Sequence, residues 1–128
     1  MTTRELTPVG RSHIERAIGN CVIWENWSSL GESGYSGKSY NIYNADLKRW
    51  EQFWVDNQGD MIHFGGGLID GVMDFHTEAI PQTDGKTLTR RLPFYNLGAD
   101  RVRQLSEGST DGGKTWAREY DFTYQRAR

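Results

Sequence analysis

Apolar and polar residues alternate along most of the chain with a period of two, and turn residues interrupt the alternation at short intervals. No window carries an apolar stripe at i, i+3, i+4 and i+7 for even three turns, so the pattern predicts strands throughout. Val9 to Ile18 is a polar-rich first strand, closed by a tight hairpin at Gly19-Asn20, and Cys21 to Trp27 is the second. Ser28 to Gly37, reading SSLGESGYSG, is too long for a minimal turn and is the expected mobile loop at a pocket mouth. Lys38 to Tyr43 is the third strand, and NADLKR turns the chain into a central stretch, Trp50 to Met73, that holds the fourth and fifth. Val72 to Ala79 is the sixth, Thr87 to Tyr95 the seventh, Asp100 to Glu107 the eighth and Thr115 to Gln125 the ninth. Pro93, inside the seventh, predicts an edge or a bulge there, because proline cannot donate to a ladder. About nine strands joined by short links predict an all-β, antiparallel up-and-down meander, and closure into a barrel would remove its edges.

The turns of the central stretch fix which residues share a face. A two-residue loop at Gln58-Gly59 pairs Asn57 with Asp60, Val55 with Ile62, Trp54 with His63 and Phe53 with Phe64. Asp70-Gly71, a favoured type I′ dipeptide, pairs Ile69 with Val72, Gly65 with His76 and His63 with Glu78. Alternation then gathers Phe53, Val55, Ile62, Phe64, Leu68, Met73 and Phe75 on one face. The other face holds Gln52, Trp54, Asp56, Met61, His63, Asp74, His76 and Glu78. Either the apolar face is the core and the mixed face meets water, or the mixed face lines a lumen and the apolar face packs on another subunit. The first assignment leaves Trp50, Trp54 and Met61 as an exposed patch, which favours the second.

Composition narrows the context. At 128 residues the chain is expected to form one domain, residues 1–128, with a core of its own. Fifteen basic against 17 acidic residues give no polyanion-binding signature, so no nucleic-acid partner is expected. MTTRELTPVG has no apolar segment of the signal-peptide kind and no run reaches membrane-spanning length, so no membrane partner and a cytoplasmic location are expected. The one cysteine, Cys21, cannot form an internal disulfide, fits a reducing compartment, and is expected to be a small buried hydrophobe.

The Gly-Asn-Cys hairpin leading to Glu25-Asn26-Trp27, the pairs Arg49-Trp50 and Trp54-Val55-Asp56, the run Gly66-Gly67-Leu68, and RVRQ followed by STDGGKTW together resemble a bacterial family of uncharacterised lipocalin-like barrels. These are broadly similar to fatty-acid-binding proteins and nitrobindins, and the resemblance runs from Val9 to Tyr124. It implies a small-molecule-binding barrel without an established substrate. Members carry a further Trp-rich first strand that this chain lacks, which implies a gap in the barrel. Together with the apolar face Phe53/Ile62/Phe64/Phe75, that gap points to a homodimer. The haem-ligating histidine of nitrobindins has no counterpart here, so no cofactor is carried over.

His63, His76 and Glu78 form the cluster with the most chemical potential. Two imidazoles and a carboxylate could open a metal site or act as an acid–base pair, although mutual hydrogen bonding is the more ordinary use of such residues and no metal is expected. Glu25, Trp27, Tyr40, Gln52, Trp54, His63, His76 and Arg103 are the candidate ligand-binding residues. A buried Glu25 would need a partner, for which Arg90, Arg91 and Arg103 are available. Ser109 to Trp116, STDGGKTW, matches the Asp-box hairpin pattern in a single copy, which reads as a hairpin stabiliser and not as glycosidase chemistry. The expected function is binding of a small hydrophobic or amphipathic ligand in a barrel lumen. The alternatives are a cyclase- or isomerase-type enzyme using His63, His76 and Glu78, or a non-catalytic protein-interaction module.

Overall fold

The structure is a computed structural model and describes residues 8–127. The N-terminal readings made on MTTRELT therefore fall outside the described residues. Among the described residues there are ten strands and no helix: β1 (Gly10–Ala17), β2 (Val22–Ser29), β3 (Ser36–Asn44), β4 (Arg49–Asp56), β5 (Met61–Ile69), β6 (Val72–His76), β7 (Ile80–Pro81), β8 (Thr87–Asn96), β9 (Arg101–Ser109) and β10 (Ala117–Gln125). Nine follow one another as hydrogen-bonded neighbours in chain order, and the two-residue β7 pairs with β8 alone. The fold is thus the all-β antiparallel meander that the period-two alternation predicts.

The turns decide the register. Asp70 and Gly71 take φ of 50° and 80°, as a type I′ turn requires, and Ile69 pairs with Val72 and Gly65 with His76 as expected. The preceding hairpin differs from expectation. Asp56 N donates to Asp60 O and Gly59 N to Asp56 O, so the loop is the three residues Asn57-Gln58-Gly59 with Gly59 at φ 87°. Asp56 faces Asp60, so the expected pairing of Asn57 with Asp60 is not formed. Ala17 pairs with Val22, so the first hairpin closes through four residues, and Cys21 within that loop is exposed rather than buried. Pro93 marks neither an edge nor a bulge: β8 lies between β6 and β9, and its register with β9 is the same at Arg91–Glu107 and at Phe94–Gln104. The only register shift in the β9–β10 ladder lies between Arg118 and Tyr120.

The chain divides into two compact units, the first built on β1, β2, β3 and Gln52–Ile62, the second on Asn44–Glu51 and the chain from His63 onward. In the first unit the better-covered side carries polar groups. Ser39 is 0% and Gln52 4% exposed there, whereas Tyr40, Ile42, Phe53 and Val55, on the other side of β3 and β4, are all exposed. Further along the polar side Ile14, Ile23 and Tyr43 are open, and Val22 is the buried exception on the apolar side.

The second unit has a conventional core. Phe64, Phe75 and Leu92 are 4%, 3% and 2% exposed, Phe75 pairs with Leu92 across β6 and β8, and the Phe75 ring meets Phe94 edge-on at 5.9 Å. Gly66 lets β5 approach β6, because a Cβ there would sit 1.8 Å from the Asp74 carbonyl oxygen. Of the four residues expected to meet another subunit, Phe64 and Phe75 are thus interior and Phe53 is exposed, with Ile62 half-buried.

Candidate functional site

On the polar side of the first unit a chain of side-chain hydrogen bonds crosses four strands. Ser12 Oγ on β1 donates to Glu25 Oε2 on β2 at 2.8 Å, and Ser39 Oγ on β3 donates to Glu25 Oε1 at 3.0 Å. Asn41 Nδ2 donates to Ser39 Oγ at 3.1 Å, and Gln52 Nε2 on β4 donates to Asn41 Oδ1 at 2.8 Å. Strand alternation and the pairing of Ser12 with Trp27 and of Glu25 with Ser39 put these residues on one side. Glu25 is therefore held by two hydroxyls, and the arginines considered for it are engaged elsewhere: Arg90 with Glu119, Arg91 with Glu107 and Arg103 with Asp121.

Two indoles lie at one end of this polar row. Trp27 lies over Gly10 and Trp54 over Gly37, where added Cβ atoms would come within 2.3 and 2.2 Å of the rings. Glycine at both positions is a seat for a ring rather than a turn device. Trp54 Nε1 and Tyr35 Oη each donate to Asp56 Oδ2 at 3.0 Å, and Tyr35 meets Trp27 at 5.5 Å with ring planes 61° apart. Asp56 Oδ1 accepts from the Gln58 and Asp60 amides, which closes the β4–β5 loop. Burial works to raise the Asp56 carboxyl, but the bonds from Trp54, Asp60, Gln58 and Tyr35 outweigh it and hold the group below the usual carboxylate range.

Glu25, Trp27, Gln52 and Trp54, all expected to bind ligand, are thus brought together on one side. Tyr40 is not: it projects from the other side of β3 and stacks on Trp24 at 6.1 Å. The loop expected to be mobile at a pocket mouth is short, Leu30–Tyr35, and tied by Ser29 N to Tyr35 O at 2.8 Å and Ser33 Oγ to Ser29 Oγ at 3.0 Å. Asp56, Ser39 and Asn41 were missed. The Asp-Asn-Gln-Gly run and the alternation Gly37-Ser39-Asn41 with Glu25-Trp27 could have exposed them.

His63 and His76 belong to the second unit and each has its own carboxylate. His63 Nε2 lies 3.0 Å from Glu51 Oε1, and His76 Nε2 lies 3.1 Å from Asp74 Oδ1. Glu78, expected opposite His63, is exposed beyond the end of β6. Among the described residues no group of three His, Cys, Asp or Glu side chains is placed to hold a metal ion. Glu51 is buried, accepting also from Asn44 Nδ2 at 2.7 Å and Arg49 Nη2 at 2.9 Å. Those two bonds, aided by His63 and opposed by burial, lower its pKa from 4.5 to about 2. The Arg49 guanidinium lies over Gly65, with its ζ carbon 3.0 Å from where a Cβ would be. Arg103 forms a two-point bond to Asp121 at 2.9 and 2.8 Å beside the Tyr95 ring.

The Asp-box segment is a self-contained turn. Asp111 Oδ1 accepts from Ser109 Oγ and from the Lys114 and Thr115 amides, Oδ2 accepts from Thr115 Oγ1, and Gly112 and Gly113 take φ of 75° and 90°. The Arg91 guanidinium covers Trp116 at 4.1 Å. These contacts account for the motif as a hairpin stabiliser. No helix of the described residues is long and apolar enough to cross a membrane. No family model, curated protein or solved structure matches the chain.

Proposed function

We propose that the protein binds a small amphipathic molecule on the polar side of its first unit, as a member of the lipocalin-like class of barrels. One observation carries this reading. The covered side of β3 and β4 holds Ser39, Asn41 and Gln52, joined to Glu25 of β2 and lying beside two seated indoles, while Tyr40, Ile42, Phe53 and Val55 are exposed on the other side of those two strands. A sheet folding only to bury itself would place them the other way round. A few convergent polar groups bounded by aromatic rings are what a ligand site requires: the rings offer contact area, and the hydrogen-bonded row fixes orientation. Glu25 and the amides of Asn41 and Gln52 face the ligand's polar end, and Trp27 and Trp54 its apolar body.

Native mass spectrometry with a panel of fluorescent hydrophobic probes tests the reading. Uptake is expected in the wild type, with affinity at least about tenfold lower in Trp27→Ala and Gln52→Leu and unchanged in Phe53→Ala. Failure of every probe to bind would sink the proposal.

A further inference from the structure

A cleft of about 450 Å³ opens on the first unit, lined by Arg11, His13, Asn26, Ser28, Ser36, Lys38, Val55 and Asn57, with Trp27, Gly37 and Asp56 between them. Alternation puts Arg11, Asn26, Ser28, Ser36 and Lys38 on the side opposite Glu25 and Ser39, so the polar lining of this cleft is distinct from that of the site proposed above, and the two border each other at Trp27, Gly37 and Asp56.

Its charges are one-sided. Among the described residues Arg11 has no carboxylate partner, as Arg49, Arg90, Arg91 and Arg103 have, and Lys38 has only the Trp24 ring, 5.3 Å away; Arg16 and Arg101 are likewise without one but lie outside the cleft. The one carboxylate in the lining, Asp56, is saturated by Tyr35, Trp54, Gln58 and Asp60. His13 is set aside, because Glu15 lies 3.5 Å from it. Neutral donors complete the set: the Asn26, Ser28 and Ser36 side chains make no hydrogen bond among the described residues, while Asn57 is committed to Ser36 N and Gly34 O.

Register brings the donors into reach of one point. Arg11, Ser28 and Ser36 form one cross-strand row, and His13, Asn26 and Lys38 form the next. Adjacent strands are about 4.8 Å apart and successive rows about 7 Å apart, so Arg11 extends over the hydroxyls of its own row, and Lys38, whose ammonium rests over the Trp24 ring in the row beyond, reaches them by a change of rotamer. A guanidinium that can donate two N–H bonds, an ammonium and two hydroxyls offer more donors than the roughly four lone-pair sites of a carboxylate, and match a phosphoryl group with three terminal oxygens.

We infer that this cleft is a binding site for a small phosphate monoester, its phosphoryl oxygens held by Arg11, Lys38 and the Ser28 and Ser36 hydroxyls. The cleft is larger than the phosphoryl group, and the remaining volume, beside Asn26 and Val55, takes the ester's organic part.

Titration of the isotope-labelled full chain with phenyl phosphate, followed by amide chemical shifts, tests the site, with benzoate as the carboxylate comparison. Saturable shifts confined to residues 11–13, 26–28 and 36–38 are expected, with benzoate binding several-fold more weakly. Joint Arg11→Gln and Lys38→Gln substitution should weaken phenyl phosphate by about tenfold or more, and Arg16→Gln, outside the cleft, should leave it unchanged. Shifts that spread without saturating, an affinity indifferent to the double substitution, an equal loss in Arg16→Gln, or equal binding of benzoate would each overturn the assignment.

Discussion

Trp54 Nε1 and the Asp56 carboxylate, two residues apart on β4, are joined by a hydrogen bond of 3.0 Å on a carboxylate that Tyr35 also approaches at 3.0 Å. Asp56 thereby fixes the loop that sets the register and also orients the indole bounding the proposed site. Asp56→Ala removes the acceptor for two side chains and two amides. A loss of roughly 1–3 kcal/mol of stability is expected, measured by chemical denaturation, together with a change in near-ultraviolet circular dichroism from the freed Trp54 and Tyr35 rings. Asp56→Asn keeps some of the acceptors and should fall between wild type and Ala.

Acid sensitivity follows from Glu51. Its pKa is lowered from 4.5 to about 2, first by Asn44 and then by Arg49, so the folded state holds this carboxylate ionised where the unfolded chain would begin to protonate it. A depressed pKa contributes stability above the unfolded value and loses it as pH falls through the folded one. The contribution is therefore full above about pH 4.5 and gone near pH 2. Glu51→Gln should flatten the decline of thermal midpoint across that window while lowering the midpoint at neutral pH. Asp111 falls in the same way from 3.8 to about 2, mainly through Thr115, so Thr115→Val should remove part of what remains.

The strands were legible because alternation and turn residues are local signals, and Asp70-Gly71 set one register by itself. The other hairpin was not legible. Gly59 can serve a two-residue I′ turn or the left-handed position of a three-residue loop, and the choice falls to Asp56 accepting from the Gln58 and Asp60 amides. The expected pairing of Asn57 with Asp60 rested on that choice, and the loop closes one residue earlier, at Asp56. Glu25, Trp27 and Gln52 could be identified as candidates by residue type. Their linkage through Ser39 and Asn41 could not, because it depends on pairings between three strands.

Ile18 offers a test of the first hairpin. It is exposed and takes φ of 50°, a conformation in which a β-branched side chain crowds its own backbone at a cost of about 1–2 kcal/mol. Ile18→Asn or Ile18→Gly relieves that strain without removing a buried contact. An increase in stability of roughly 1 kcal/mol is expected, and a lower thermal midpoint in both variants would contradict the loop geometry.

The register itself can be tested by two phenylalanines that the sequence groups on one apolar face. Phe64 is buried in the second unit, while Phe53 is exposed on the first. Phe64→Ala empties a packed site and should cost about 3–5 kcal/mol, and Phe64→Asp should prevent folding because a carboxylate would be left without partners. Phe53→Ala should change stability by less than about 1 kcal/mol, and Phe53→Asp should stay folded. Equal losses at the two positions would favour the two-residue loop at Gln58-Gly59, in which they share a face. Gly66→Ala supplies an independent control within the second unit, since its Cβ would strike the Asp74 carbonyl oxygen whatever the pairing between β4 and β5.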